Sequence, residues 1–146
     1  MPQTHFLPMI RELARCYQAF ESFSARHVRT LGLTVPQFDI IATLGNTEGM
    51  TFKQLGEKTL ITKGTLTGVV DRLESRKIVR RVASTTDGRS QLVQLTPEGE
   101  KLFSRIFPVH LDYLGKAFAD INPDELQQAQ AQLARLGNIF RLTPDI

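Results

Sequence analysis

Thr62-Lys63-Gly64-Thr65-Leu66-Thr67-Gly68-Val69-Val70-Asp71-Arg72-Leu73-Glu74-Ser75-Arg76 decides the fold. Leu66, Val69, Val70 and Leu73 recur at i, i+3, i+4 and i+7, one apolar stripe of a helix that Thr62 can cap. The other side carries Lys63, Thr65, Thr67, Gly68 and Arg72. Directly afterwards the period changes from 3.6 towards 2. Ile78 to Ser84 and Gln91 to Thr96 are short, β-branched-rich runs, and between them Asp87-Gly88 signals a hairpin turn.

Working back from this stretch, Thr51 and Gln54 form a capping-box pair that opens a short helix burying Phe52, Leu55 and Gly56. Thr59-Leu60-Ile61 joins it to the helix starting near Lys63. Two short helices with so brief a joint, the second amphipathic, make a helix-turn-helix. A β-hairpin after the second helix makes it a winged helix. Further back, Thr34 and Gln37 repeat the capping box before Phe38, Ile41 and Leu44, and that helix ends near Gly45. The N-terminal helix places Phe6, Ile10, Leu13, Tyr17 and Phe20 at helical spacing and stops at Gly32.

Forward of the hairpin, Thr96-Pro97 reads as N-cap and first residue of a fifth helix with Leu102, Phe103, Ile106 and Phe107 on its apolar face. Pro108 should kink or divide it. Asn122-Pro123 and Glu125 start a sixth helix carrying Leu126, Ala129, Leu133, Leu136 and Phe140. The fold class is mainly α with a small β-hairpin wing (α+β). It is a single domain over 1–146, with a winged-helix lobe over about 33–96 flanked by helices in 1–32 and 97–146. Those outer helices carry more Phe, Leu and Ile than one small lobe needs. Their surplus predicts burial against a second copy, a homodimer.

The 146 residues are 41% hydrophobic and 23% charged, enough to bury about 70% of the unfolded surface without a disulfide. No apolar run reaches a membrane span and the start MPQTHFLPMIRE is no secretory leader, so the expected location is cytoplasmic, with no membrane partner. The formal net charge is only +3, but its distribution is uneven. Residues 1–50 hold four basic and four acidic residues, 51–96 nine against four, and 97–146 five against seven. A basic block of this kind attracts polyanions, and a solvated surface is its bland alternative.

The residues also resemble a known family, the MarR-type (multiple antibiotic resistance regulator) winged-helix transcription regulators, over nearly the whole chain. Leu31-Gly32-Leu33-Thr34-Val35-Pro36-Gln37-Phe38 resembles the segment opening the family's second helix, and Thr62 to Leu73 its recognition helix. Asp87-x-Arg89 followed by Leu95-Thr96-x-x-Gly99 resembles the family's wing signature in residue type and spacing. The resemblance implies a homodimer interlocked through its terminal helices, recognition helices in the major groove and wing tips at the minor groove. It implies a repressor at an inverted-repeat operator, released by a small, often aromatic, ligand or by oxidation. Two positions depart from the pattern. Gly68 stands where the family often has arginine, and Lys77 where a glycine commonly ends the helix, predicting a less regular C-terminal turn.

The candidate DNA-binding residues, for double-stranded DNA, are Thr51, Gln54, Thr62, Lys63, Thr65, Thr67, Gly68, Arg72, Arg81, Asp87 and Arg89. Thr65 and Thr67 suit base edges, Lys63 a guanine or phosphate, and Arg72 a phosphate. Arg89 suits the minor groove, with Asp87 holding it. Arg80 and Arg81 both suit phosphate, although strand alternation turns one of them inward. By resemblance an effector pocket lies where the first, second and fifth helices meet the lobe, with Tyr17, Phe20 and Phe38 as candidates beside Phe23 and Tyr113. Cys16 reads as a small buried hydrophobe, or as a redox-sensing thiol whose pKa Arg15 would lower. One branch of the family senses peroxides with a first-helix cysteine, placed further from the Leu31-Gly32-Leu33 segment. His5, His27 and His110 lack metal-ligand spacing, so no metal or other cofactor is expected. No nucleophile–base signature or phosphate loop marks an enzyme. The competing class is a winged helix used only for protein–protein contact.

Overall fold

The computed structural model describes residues 3–59, 61–84 and 90–145. The elements are α1 (Leu7–Thr30), α2 (Val35–Leu44), α3 (Phe52–Thr59), α4 (Lys63–Ser75), β1 (Val79–Ala83), β2 (Gln91–Leu95), α5 (Pro97–Gly115) and α6 (Pro123–Leu142), with a 3-10 turn at Lys116–Phe118. They form two compact units, Met1–Leu111 and Asp112–Ile146.

The first unit is built around α2. Thr34 Oγ1 accepts from the Gln37 amide (3.3 Å) while Gln37 Oε1 accepts from the Thr34 amide (3.1 Å), the reciprocal cap expected of that pair. Ile40, Ile41 and Leu44 of α2 are fully buried, together with Leu55 of α3, Leu66, Val70 and Leu73 of α4 and Val93 of β2. Burying each such side chain contributes about 1.5–3 kcal/mol, so this cluster fixes how α3, α4 and the hairpin sit on α2. Thr51 and Gln54 cap α3 in the same reciprocal way, at 3.1 and 3.0 Å. Of the three residues expected inside α3, Leu55 is buried and Phe52 and Gly56 are half-buried.

Two helix ends differ from expectation. Thr62 stands at the N-cap of α4, but its hydroxyl donates to Thr65 Oγ1 (3.2 Å) and makes no side-chain cap. Its carbonyl still accepts from the amides of Thr65 and Leu66. At the other end, the turn after α4 is regular in spite of Lys77. The Lys77 amide donates to Glu74 O (2.9 Å) and the Ile78 amide to Leu73 O (3.0 Å), the paired bonds of a Schellman turn, with Lys77 at φ +63°.

β1 and β2 pair antiparallel from Val79↔Leu95 to Ala83↔Gln91. A single bridge adds Met50 to the sheet, its amide and carbonyl both bonded to Val93 (2.9 and 2.8 Å). The Leu95-Thr96-x-x-Gly99 motif is structural. Thr96 Oγ1 accepts from the Gly99 amide (3.0 Å) and donates to Lys77 O (2.6 Å), and a Cβ at Gly99 would collide with the Ile78 carbonyl. The motif therefore pins the start of α5 to the end of α4.

α5 runs through Pro108 as one helix, so of the kink or division expected there the division does not occur. Proline costs it one backbone donor, and the buried Phe103, Ile106 and His110 on either side hold the helix in register. In the second unit, Asn122 Oδ1 accepts from the Glu125 amide (2.9 Å) and starts α6 where expected. No residue of α6 is buried, and Leu133, Ile139 and Phe140 are all about half exposed or more. Among the described residues, no helix is long and apolar enough to cross a membrane.

Candidate nucleic-acid interface

The interface is built on α4. Its buried stripe of Leu66, Val69, Val70 and Leu73 turns Thr62, Lys63, Gly64, Thr65, Thr67 and Arg72 out to solvent, with Gly68 half-exposed. Thirteen residues give a rod of about 20 Å, long enough to lie along a major groove. Among the described residues, and apart from the helix's own backbone, nothing lies within 4 Å of where a Cβ would stand at Gly64 or Gly68. The helix therefore presents bare backbone between its threonines. Hydroxyls flanking such a strip can exchange hydrogen bonds with base edges, and Lys63 and Arg72 add an exposed cation towards either end of the helix.

Thr51 and Gln54, at the start of α3, have their hydroxyl and Oε1 engaged in the helix cap. Gln54 is exposed and Thr51 half-exposed, so both can still meet a phosphate. Asp87 and Arg89 lie outside the described residues, as do the rest of 85–89 and Leu60 of the helix–helix joint.

The two wing arginines separate as strand alternation requires. Arg81 points into the lobe: Nη2 lies 2.6 Å from Asp71 Oδ1 and Nη1 2.6 Å from Glu74 Oε1, with the guanidinium 5.5 Å from the centre of the Phe52 ring. Both of its terminal nitrogens are thus committed to carboxylates, where a phosphate contact was expected. Arg80 is the exposed one. Its Nε donates to Gln94 Oε1 (2.7 Å), and Gln94 Nε2 donates in turn to Glu48 O (3.0 Å). The sequence offered both arginines without deciding which turns inward, its candidate set took Arg81, and it missed Asp71 and Glu74 as partners of Arg81. Their i, i+3 spacing on α4 was the available signal.

The candidate effector residues are not in one environment. Phe38 is buried in the core, its ring 4.5 Å from that of His110, whereas Tyr17 and Phe20 are 55% and 49% exposed on α1. Cys16 is also exposed, which corrects the reading of it as a buried hydrophobe. Beside them, Asp39 of α2 has its carboxyl pushed up to about 6, first by burial and then by the Glu21 carboxylate. A hydrogen bond to Glu21 is the main cause raising the Tyr17 hydroxyl. Further along α1, Ser24 Oγ lies 3.2 Å from His110 Nε2, and His27 Nδ1 lies 2.9 Å from His110 Nδ1. Among the described residues, no group of three or more His, Cys, Asp or Glu side chains is placed to hold a metal ion.

A model of the MarR family matches residues 31–90, the span from the end of α1 to the wing. The HTH-type transcriptional regulator MhqR of Bacillus subtilis (strain 168) is 30% identical over 125 residues, 86% of each chain. The transcriptional regulator HosA of Escherichia coli O157:H7 is 33% identical over 119 residues, 81% of this chain and 87% of its own. The structure of BpsR of Bordetella bronchiseptica superposes with a TM-score of 0.79 at 25% identity, covering 94% of this chain and 98% of that one. With a helix-turn-helix, a hairpin wing and full-length relatives that are transcriptional regulators, this chain belongs to the MarR family of winged-helix transcription regulators.

Proposed function

We propose that the protein is a homodimeric repressor that binds an inverted-repeat operator through α4 and its wing and is released by a small aromatic ligand. The exposed strip of α4 carries the reading. Two threonines, two open glycines, Lys63 and Arg72 share the surface of a helix whose other face is locked into the core. In this reading Thr65 and Thr67 read base edges, Thr62, Lys63, Gly68 and Arg72 complete the contact, and Thr51 and Gln54 meet the flanking backbone. Arg89 enters the minor groove with Asp87 orienting it. Binding is in the cytoplasm, and the protein catalyses no reaction.

Dimerisation is supported by the exposed apolar residues on both terminal segments: Phe6, Tyr17 and Phe20 of α1, and Leu133, Ile139 and Phe140 of α6. Apolar surface of this extent on separate helices is the kind that a second copy covers. The aromatic effector is supported by BpsR, whose DNA binding is regulated by 6-hydroxynicotinic acid.

The test selects duplexes with the wild-type protein from a random pool and measures affinity and footprint with and without hydroxylated aromatic acids. A footprint spanning two half-sites, bound by a dimer and released by such an acid, is the expected result. A monomer in sedimentation at micromolar concentration, or retention of every duplex equally, overturns it.

A further inference from the structure

We propose that Arg81 is a positioning residue of the DNA-binding face, offsetting one of the two negative charges of Asp71 and Glu74 on α4 and anchoring the wing to that helix without touching DNA. The inference rests on the DNA-binding reading above.

Asp71 lies three residues beyond Gly68 and seven beyond Gly64, so it shares their open side of α4, and its side chain is 58% exposed. Glu74 follows one turn later at 40%. Two uncompensated carboxylates on the helix that enters the groove would face the phosphate charge directly. Arg81 meets both, one terminal nitrogen on each at 2.6 Å, while its own side chain is only 23% exposed. A planar fork with two separate donors suits this double contact, and a lysine offers no such fork. The Phe52 ring backs the guanidinium, so the same cation touches α3, α4 and β1. Arg80, one residue earlier, has its Nε held by the neutral Gln94 amide and remains exposed. The neighbouring arginines therefore divide the work: one cation is spent inside the fold and the other is presented outside it.

The experiment compares wild type, Arg81→Met, and the triple variant Arg81→Met, Asp71→Asn, Glu74→Gln. Each is titrated by fluorescence anisotropy against a duplex that the wild type selects from a random pool, over a series of salt concentrations. Melting curves verify the fold of each variant. Arg81→Met should bind at least tenfold more weakly. The triple variant, with no unpaired charge and an apolar side chain still against Phe52, should recover most of that loss with the wild-type salt slope. If the single variant does not fold, the triple variant alone decides by the same two readings. A triple variant that stays weak with a salt slope lower by about one marks a direct phosphate contact and overturns the proposal. Undiminished binding by Arg81→Met overturns it as well. Absence of wild-type binding to any duplex would instead defeat the DNA-binding reading itself.

Discussion

His27 of α1 and His110 of α5 face each other with their Nδ1 atoms 2.9 Å apart and their rings stacked, centroids 5.1 Å apart at 16°. His110 is 2% exposed, against the edge of Phe38, and Ser24 stands by its Nε2. One ring must donate and the other accept, so two protonated rings could not keep this contact. Burial first, and then His27, hold the His110 pKa below its ordinary value.

The pH dependence of folding follows from that shift. Because folding lowers the His110 pKa, the unfolded chain binds more protons as pH falls through the ordinary imidazole value near 6.5. Stability is present above that value and is lost below it. Between pH 8 and 5 acidification should cost the wild type more of its urea midpoint than it costs His110→Gln. Parallel curves for the two proteins would remove His110 from the account.

Asp39 acts in the opposite sense. Its carboxyl is raised to about 6, so the folded chain holds this proton more tightly, and the contribution is present at low pH and lost as pH rises through 6. Asp39→Asn removes the cost of the ionised form. At pH 7.5 it should stabilise the protein by about 1 kcal/mol, since solvent screens much of the two-unit shift of a half-exposed group. Below pH 4 the advantage should vanish. A variant less stable than wild type at pH 7.5 contradicts the assignment.

Lys77 occupies the left-handed region, at φ +63°, in the Schellman turn after α4. A side chain there costs about 1–2 kcal/mol, part of which a glycine returns through the entropy of the unfolded chain. Lys77→Gly should therefore raise stability by roughly 0.5–1 kcal/mol. Lys77→Ala, which keeps a Cβ, should not. Equal melting temperatures for the glycine and alanine variants would exclude backbone strain as the cause.

The glycines divide into two functional kinds. Gly99→Ala drives a Cβ into the Ile78 carbonyl and Gly45→Ala drives one into the Phe103 ring, so both should destabilise by about 2 kcal/mol or more. Gly68→Ala meets nothing and should stabilise α4 by up to about 1 kcal/mol, yet weaken DNA binding where backbone approaches the groove. Thermal melts and anisotropy titrations on the same samples separate the two effects. A Gly68→Ala protein with unchanged affinity would show that the bare strip does not approach the groove.

Most of the fold was legible because its signals are local. The caps at Thr34 and Gln37, Thr51 and Gln54, and Asn122 and Glu125 join residues three apart, and the hairpin announces itself by a change of period. Alternation showed that one of Arg80 and Arg81 turns inward. Choosing between them needed the pairing of Arg81 with Val93 and the carboxylates ten and seven residues back. The His27–His110 contact, 83 residues apart, leaves no mark in either local pattern. Cys16 and Phe38 were both apolar residues at helical positions, and only packing shows that one is exposed and the other buried.

The central claim is that the outward strip of α4 reads DNA sequence. Its most direct test measures wild type and the Thr65→Ala, Thr67→Ala double variant on a selected duplex and on a scrambled one, across a salt series. The wild type should prefer the selected duplex by about a thousandfold or more, with affinity falling steeply as salt rises. The double variant should keep the salt dependence and lose most of that preference. An unchanged preference in the double variant, or equal wild-type affinity for both duplexes, would contradict the claim.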